Sequence, residues 1–321
     1  MISRQSDLPA VFPDPAADAK LADWFSESSI WVPNRIVPSG WLEHAPFCFW
    51  LVGAARPRTF VELGTYRGFS YFAFCQAVQQ QGIETTCRAI DTWKGDEHTG
   101  FYGEEVFSEV QAYHNRIYSS FSQLIRSRFA DAVNYFADES IDLLHIDGRH
   151  FYRDAKTDFE TWVPKLSDRA IVLFHDIDVR EREFGVWRFW KELHSHYPSF
   201  AFHHGSGLGV LAFGSQIPEK AKPLFLASSE TVNQIRQTYA RLGVAISAIA
   251  ERDALKAKFR RLQAQEVELK LVRQQLSAIE GSTSWRMTYP LRRLVQGTSF
   301  VRNIVKLAWR TGTGLLYFGK N

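Results

Sequence analysis

Cysteine is scarce in this chain: three residues in 321, Cys48, Cys75 and Cys87. Their odd number and lack of metal-ligand spacing fit a reduced, cytoplasmic compartment. Long apolar runs are missing too, and none approaches the ~18 residues that cross a bilayer. The opening stretch "MISRQSDLPAVFPDP" has no apolar segment behind its charge, so no secretory leader is expected. Acidic residues are absent from Gly281 to Asn321, which carries seven positive charges. With a net charge of +3, residues 1–280 hold 3 − 7 = −4. The body is therefore mildly acidic and the tail basic, so their partners are separate questions. A nucleic-acid partner is not expected, because the basic groups lie in the tail and not around a cleft.

What is present is alternation. The sequence predicts strands at "TFVEL" (59–63), "TCRAID" (86–91), "IDLLHID" (141–147) and "AIVLFHD" (170–176). Helical patterns separate them at 68–81, 104–117, 152–166 and 185–197. A further strand is expected within 118–130, where no clear pattern marks it. "FAFHHGSGLGVLAFG" reads as a closing hairpin, hence one antiparallel strand. This order implies a mostly parallel sheet covered on both faces, over residues 41–214. Residues 1–40, rich in Pro and Ser, read as an irregular arm. In 223–280, Val232, Ile235, Tyr239, Leu242, Ile246 and Ile249 follow heptad spacing, and Leu255, Phe259, Leu262, Leu269 and Leu276 resume it imperfectly. An oligomeric coiled coil is one reading, and a helical hairpin packed on its own body the other. In 281–321, Val301, Ile304, Val305 and Ala308 can share a helix face apart from Arg302, Lys306 and Arg310. That pattern suits an anionic membrane surface, or docking on the acidic body.

Several of these strands end in chemistry: Glu62 with Gly64, Asp91, Asp147, and His175 with Asp176. In a doubly wound sheet, ligands bind beyond the carboxyl ends of strands. Gly64 and Gly68, between strand and helix, allow a tight turn and close ligand approach. Their E-x-G-x-x-x-G spacing differs from the G-x-G-x-x-G of a dinucleotide fold, and no P-loop lysine follows. Glu62 would repel a pyrophosphate but accept a cationic amine. Asp91 is placed to accept hydrogen bonds from ribose hydroxyls. Asp147 and Asp176, with His175 alongside, form a hard donor set that suits Mg²⁺. Taken singly, each of these residues has a plainer reading, such as a helix cap or a satisfied loop acid.

"ELGTYRGFS" (62–70) resembles the first motif of catechol-type, metal-dependent O-methyltransferases, within the class I S-adenosylmethionine-dependent methyltransferases. The resemblance implies an α/β fold, a doubly wound and mostly parallel seven-stranded Rossmann-like sheet, here followed by the helical coil. It implies that Glu62, Gly64, Gly68 and Ser70 line the methionine part of S-adenosylmethionine, with Tyr66 close by and Asp91 on the ribose. It also implies Asp147 as a metal ligand, His150 three residues later as general base, and His175 and Asp176 as further ligands. The family's usual base is Lys and its second ligand pair is usually two oxygen donors. Sugar O-methyltransferases of the macrolide type are similar in having His as base. An imidazole ligand would admit Mn²⁺ or Fe²⁺ more readily than carboxylates alone.

"AIDTWKGDEHTGFYGE", "LLHIDGRHFY", "DFETWVPKLSDRAIVLFHD" and "FGVWRFWKEL" are similar to methyltransferase modules of bacterial polysaccharide-assembly proteins. This implies a saccharide acceptor, for whose pocket Trp93, His98, Tyr102 and Trp187 are candidates. Two rival classes stay open: an iron-dependent hydroxylase-like enzyme on the same scaffold, and a non-catalytic, membrane-tethered scaffold of a glycan-assembly complex.

Overall fold

The computed structural model describes residues 20–297, and side chains up to residue 293. Two compact units divide at Arg252/Asp253.

The first unit is built on one seven-stranded sheet. Its strands are β1 (Thr59–Leu63), β2 (Thr86–Asp91), β5 (Ser122–Arg126), β6 (Ile141–Ile146), β7 (Leu166–His175), β8 (Ser199–Phe202) and β9 (Leu208–Ala212). They lie in the order β5-β2-β1-β6-β7-β9-β8. Every pairing is parallel except those of β9, the antiparallel member of the closing hairpin. A separate two-stranded ribbon, β3 (Gly95–Asp96) with β4 (Gly100–Phe101), stands in the loop after β2. The strand with the weakest sequence pattern, β5, is an edge strand whose residues are only partly buried.

The central strands are apolar because helices cover both faces. One face carries α2 (Ala45–Ala55) and α3 (Phe69–Gln80), with Phe60, Leu143 and Leu173 beneath them. The other carries α6 (Tyr152–Trp162) and α7 (Val186–Leu193), over Val61, Leu63, Leu144 and Val172. Helix α6 buries Ala155, Phe159 and Trp162, spaced four and three apart, on one face. Burying each large side chain of this kind contributes roughly 1.5–3 kcal/mol. Helix α2 shows no such stripe. Ten of its eleven residues are buried, so its sequence carries no amphipathic period to read. Polar residues inside the sheet are paired. Asp142 of β6 accepts bonds from the backbone and guanidinium of Arg58 and from Ser167 Oγ.

Between these elements lie α1 (Leu21–Trp24), α4 (Glu104–Ile117), α5 (Phe129–Ala132) and α8 (Lys222–Leu226). The described part of the N-terminal arm, 20–40, holds α1 and a 3₁₀ turn at Glu27–Ile30, and is otherwise irregular. All three cysteines are buried thiols.

Helix α9 (Ser229–Gly281) carries both halves of the heptad pattern. The first half corrects the coiled-coil expectation. Ile235, Tyr239 and Ile246 are buried in the body's own core. The Tyr239 ring packs on Phe47 and Phe202, and its hydroxyl donates to Trp24 O. The compact unit therefore runs past the expected boundary at 214, because the seam is spent on the body. In the second unit, Leu255, Phe259, Leu262, Leu269 and Leu276 are all exposed. Helices α10 (Thr283–Met287) and α11 (Tyr289–Gly297) follow. The face formed by Val301, Ile304, Val305 and Ala308 lies outside the described residues. Among the described residues, no helix is long and apolar enough to cross a membrane.

Candidate active site

The strand order reverses between β1 and β6, and the loops leaving these strands part to opposite sides. This is where an α/β sheet opens a crevice. A cavity of about 480 Å³ lies there, lined by Gly64–Arg67, Ser70, Asp91, Tyr102, Asp147–His150, His175 and Asp176. Four segments far apart in sequence thus meet.

Register explains the meeting. Leu63 pairs with Ile146, and Ile146 with Phe174. The next residue of each strand, Gly64, Asp147 and His175, therefore falls at one edge. Gly64 has φ +90°, and a Cβ there would lie 2.0 Å from the Asp147 carbonyl oxygen. Only glycine lets the two loops approach so closely.

The loop after β1 is tied down by Asp91. Its Oδ2 accepts from the backbone N–H of Thr65 and Tyr66, both at 2.8 Å, and its Oδ1 from Trp93 N at 2.7 Å. Burial pushes the carboxyl up, and these three donors partly offset that. Asp91 still lines the cavity, so it both builds the loop and faces a ligand. Tyr66 and Tyr102 pack at a tilt of 47°, ring centroids 5.1 Å apart, on the cavity wall.

At the far side, Asp147, His150, His175 and Asp176 form one cluster. His150 Nε2 lies 2.9 Å from Asp176 Oδ2 and 3.6 Å from Asp147 Oδ1. His175 Nδ1 lies 3.3 Å from Asp147 Oδ1 and 3.4 Å from Asp176 Oδ2. Burial alone would lower His150, but hydrogen bonds to both aspartates and their charges outweigh it, lifting it to about 9. The same contest raises His175 well above its ordinary value. The aspartates move oppositely: burial resists, but the facing imidazoles hold both well below the usual carboxylate range.

One donor atom each from Asp147, His175 and Asp176 lies within 4.8 Å of the others. Two carboxylate oxygens and an imidazole at this spacing fit a divalent cation.

The remaining candidates divide. Ser70 lines the cavity, but Glu62 does not. On β1, Glu62 alternates onto the α3 face, where it is fully buried against His145 of β6. It is not among the residues that line the cavity and lies beneath its floor, where His145 and Ser70 pull its carboxyl down against burial. Gly68, at φ +79°, starts α3 against the Phe72 ring and lies off the cavity. Trp93 is core: only 1% exposed, its ring on Phe107 and its Nε1 donating to Tyr66 O. His98 stands behind His150, ring centroids 5.3 Å apart, bonded through Nε2 to Arg182 O. Trp187 faces a different cavity altogether. Of the four acceptor-pocket candidates, only Tyr102 lines this one.

Sequence reasoning missed other lining residues. Pro38–Gly40 come from the arm, and Asp154 and Asp158 from α6. The two acids sit four apart on α6, beside its apolar stripe, a spacing that signals a shared polar face. Nothing local marks Pro38–Gly40.

Residues 61–177 match the family model described as a methyltransferase domain. The chain is 55% identical over 193 residues to uncharacterized protein y4gI of Sinorhizobium fredii. The match covers 60% of this chain and 21% of that protein, so the chain spans about a fifth of the relative's length. Among solved structures, an O-methyltransferase of Streptomyces achromogenes involved in tomaymycin synthesis, in complex with SAM, is 15% identical. It covers 57% of this chain and 83% of its own, at a TM-score of 0.41. An O-methyltransferase of Bacillus cereus in complex with SAH is 13% identical, covering 56% and 84%, with a TM-score of 0.40. The seven-stranded, mostly parallel Rossmann-like sheet stands on its strand order and not on those scores.

Proposed function

We propose that this protein is an S-adenosylmethionine-dependent, metal-assisted O-methyltransferase acting on a sugar hydroxyl in glycan or polysaccharide biosynthesis. One observation supports it most: the glycine loop with its acid and the Asp147–His150–His175–Asp176 cluster face the same cavity. The first set suits the donor and the second the acceptor.

In this reading the sulfonium methyl needs no activation, whereas the acceptor alcohol holds its proton tightly at neutral pH. Gly64–Arg67, Ser70 and Asp91 hold the donor. Asp147, His175 and Asp176 would hold a divalent cation, Mg²⁺ by its hard oxygen donors or Mn²⁺ or Fe²⁺ by the imidazole. Such an ion supplies Lewis-acid stabilisation of the alkoxide and neutralises the two carboxylates. With the carboxylates neutralised by the cation, His150 would give up to solvent the proton they hold on it, and the neutral imidazole would take the hydroxyl proton at Nε2, a role worth ~10²–10⁴-fold. The stack of His150 on Phe184, at 4.5 Å and 12°, fixes the ring plane for that transfer. Tyr66 and Tyr102 offer aromatic faces to a sugar ring.

The test is methyl transfer from labelled S-adenosylmethionine to host glycan, with mass spectrometry of that glycan with and without the gene. An unchanged glycan and no donor binding would sink the reading. The two histidines among four cluster residues favour one alternative, an iron-dependent hydroxylase-like enzyme. Calorimetric binding of S-adenosylmethionine separates the two. A non-catalytic, membrane-tethered scaffold has less support, since the acid–base set is complete. We also assign the exposed seam of α9 to self-association and the basic stretch 281–321 to an anionic membrane surface, testable by vesicle co-sedimentation.

A further inference from the structure

Trp187 points to a second cavity, of about 610 Å³, where α7, the β8–β9 hairpin and the start of α9 meet. Its lining differs in character from the first. Three permanent cations, Arg180, Lys191 and Arg236, surround it, with one carboxylate, Asp178, and two histidines, His194 and His203. Three positive groups against one negative leave +2 with both histidines neutral.

The single acid is already engaged. Asp178 Oδ2 accepts from His203 Nδ1 at 2.7 Å, and Oδ1 lies 3.7 Å from Arg180 Nη2. Arg180 shares that acid, and all three cations outnumber it. Arg180 lies over the Trp187 ring at 4.6 Å and donates through Nη1 to Ile177 O. Arg236 donates through Nε to Ala201 O at 2.7 Å and lies over Phe200, leaving its terminal nitrogens without a carboxylate partner among the described residues. Burial lowers Arg236 from its ordinary value, and the charge of Asp178 only partly opposes that. Lys191 likewise has no acid paired with it among the described residues. Fixed guanidiniums on an aromatic floor are the usual recognition set for phosphoryl oxygens.

We propose that this cavity is a binding site for a diphosphate-bearing ligand, distinct from the methyl-transfer site. A single carboxylate would satisfy one guanidinium fork and leave two cations facing each other. A diphosphate offers oxygens to all three. The volume leaves room for part of the group the diphosphate carries, against Trp187, Trp190 and Phe200. That group is a nucleoside or a lipid, since both are carried on diphosphates. The assignment does not depend on what the neighbouring site transfers.

The test is calorimetric titration of the full chain with inorganic pyrophosphate at low salt. Saturable binding is expected, weakening as salt is added. Lys191→Gln and Arg180→Gln should each weaken it about ten-fold, with the melting temperature and S-adenosylhomocysteine binding unchanged. Lys191 is exposed and cannot compromise folding, so its variant decides the matter even if Arg180→Gln destabilises the loop. No saturable binding, or equal affinity in Lys191→Gln, overturns the proposal. Parallel titrations with UDP and geranyl diphosphate separate the sources: the one that binds more tightly than pyrophosphate names the carried group, and equal affinity for all three confines recognition to the diphosphate.

Discussion

Glu62 and His145 face each other across β1 and β6, Oε2 to Nδ1 at 2.9 Å, and both side chains are wholly buried. Burial pushes the Glu62 carboxyl up, against the pull of His145 and Ser70. The pair sits under the loop that should cradle the donor, and Glu62 itself is not on the cavity wall. Glu62→Ala should therefore cost roughly 3–5 kcal/mol of stability, by leaving a buried imidazole unpaired. Glu62→Gln keeps an acceptor for His145 and should lose much less. Donor affinity, measured by calorimetry, should stay within about three-fold in Glu62→Gln. A hundred-fold loss in that variant, with folding intact, would restore Glu62 as a direct donor contact.

His150 is the candidate base, and its imidazole touches both aspartates. His150→Ala should lower kcat by ~10²–10⁴-fold while donor binding survives. Chelation should abolish turnover, and divalent ions should restore it. A metal-stripped enzyme with full activity would remove the ion from the mechanism. A wild-type rate in His150→Ala would remove the base.

Gly64 is where two loops nearly touch. A methyl group there meets the Asp147 carbonyl in a backbone conformation that disfavours L side chains. Gly64→Ala should cost at least about 2 kcal/mol and pull Asp147 out of position, so donor binding and metal binding should fall together. Gly82 is a control, since it also has positive φ (+60°) but meets nothing within 4 Å. Gly82→Ala should show the strain alone, read from urea midpoints.

How much of this could be read from the sequence depended on how locally each feature is encoded. Strands β6 and β7 carry short apolar runs that lead into acids, so both the element and its functional end are visible. The Asp147, His150, His175 and Asp176 cluster was legible for the same reason, because strand-end residues of neighbouring parallel strands must converge. Glu62 was misread because the alternation of β1 decides its face, and β1 is buried on both sides, which hides that alternation. Trp93 and Trp187 were read by residue type, and type alone does not say which wall a ring faces. Helix α2 left no signal because a fully buried helix has no polar side. The heptad seam of α9 is real spacing with two destinations, and only packing shows that Tyr239 meets Phe47 and not a second copy.

Asp158 lines the first cavity from α6. Burial, with the charge of Asp154 adding and Arg149 opposing, pushes its carboxyl up to about 7. In the unfolded chain it should titrate near 4. Between those values the folded state binds the extra proton, so stability falls as pH rises through that window. Relative to Asp158→Asn, the wild type should lose roughly 2–4 kcal/mol between about pH 4 and about pH 8. Urea midpoints of the two proteins across this range give the difference directly. Parallel pH curves would mean that the carboxyl stays ionised and finds a partner in the folded state.

The outer half of α9 presents Leu255, Phe259, Leu262, Leu269 and Leu276 to solvent at heptad-compatible spacing. The inner half has no such freedom, since Ile235, Tyr239 and Ile246 are already core. The two halves should therefore respond differently to substitution. Leu262→Lys with Leu269→Lys removes two seam residues, each contributing roughly 1.5–3 kcal/mol when buried between helices. Self-association should weaken by more than about a hundred-fold, while the melting temperature of the body stays put. Tyr239→Ala should do the reverse, opening a void under Phe47 and Phe202 and lowering that melting temperature. Light scattering of the wild type over micromolar concentrations is the direct reading. A wild-type monomer throughout that range would leave the outer seam without a second copy to bury it.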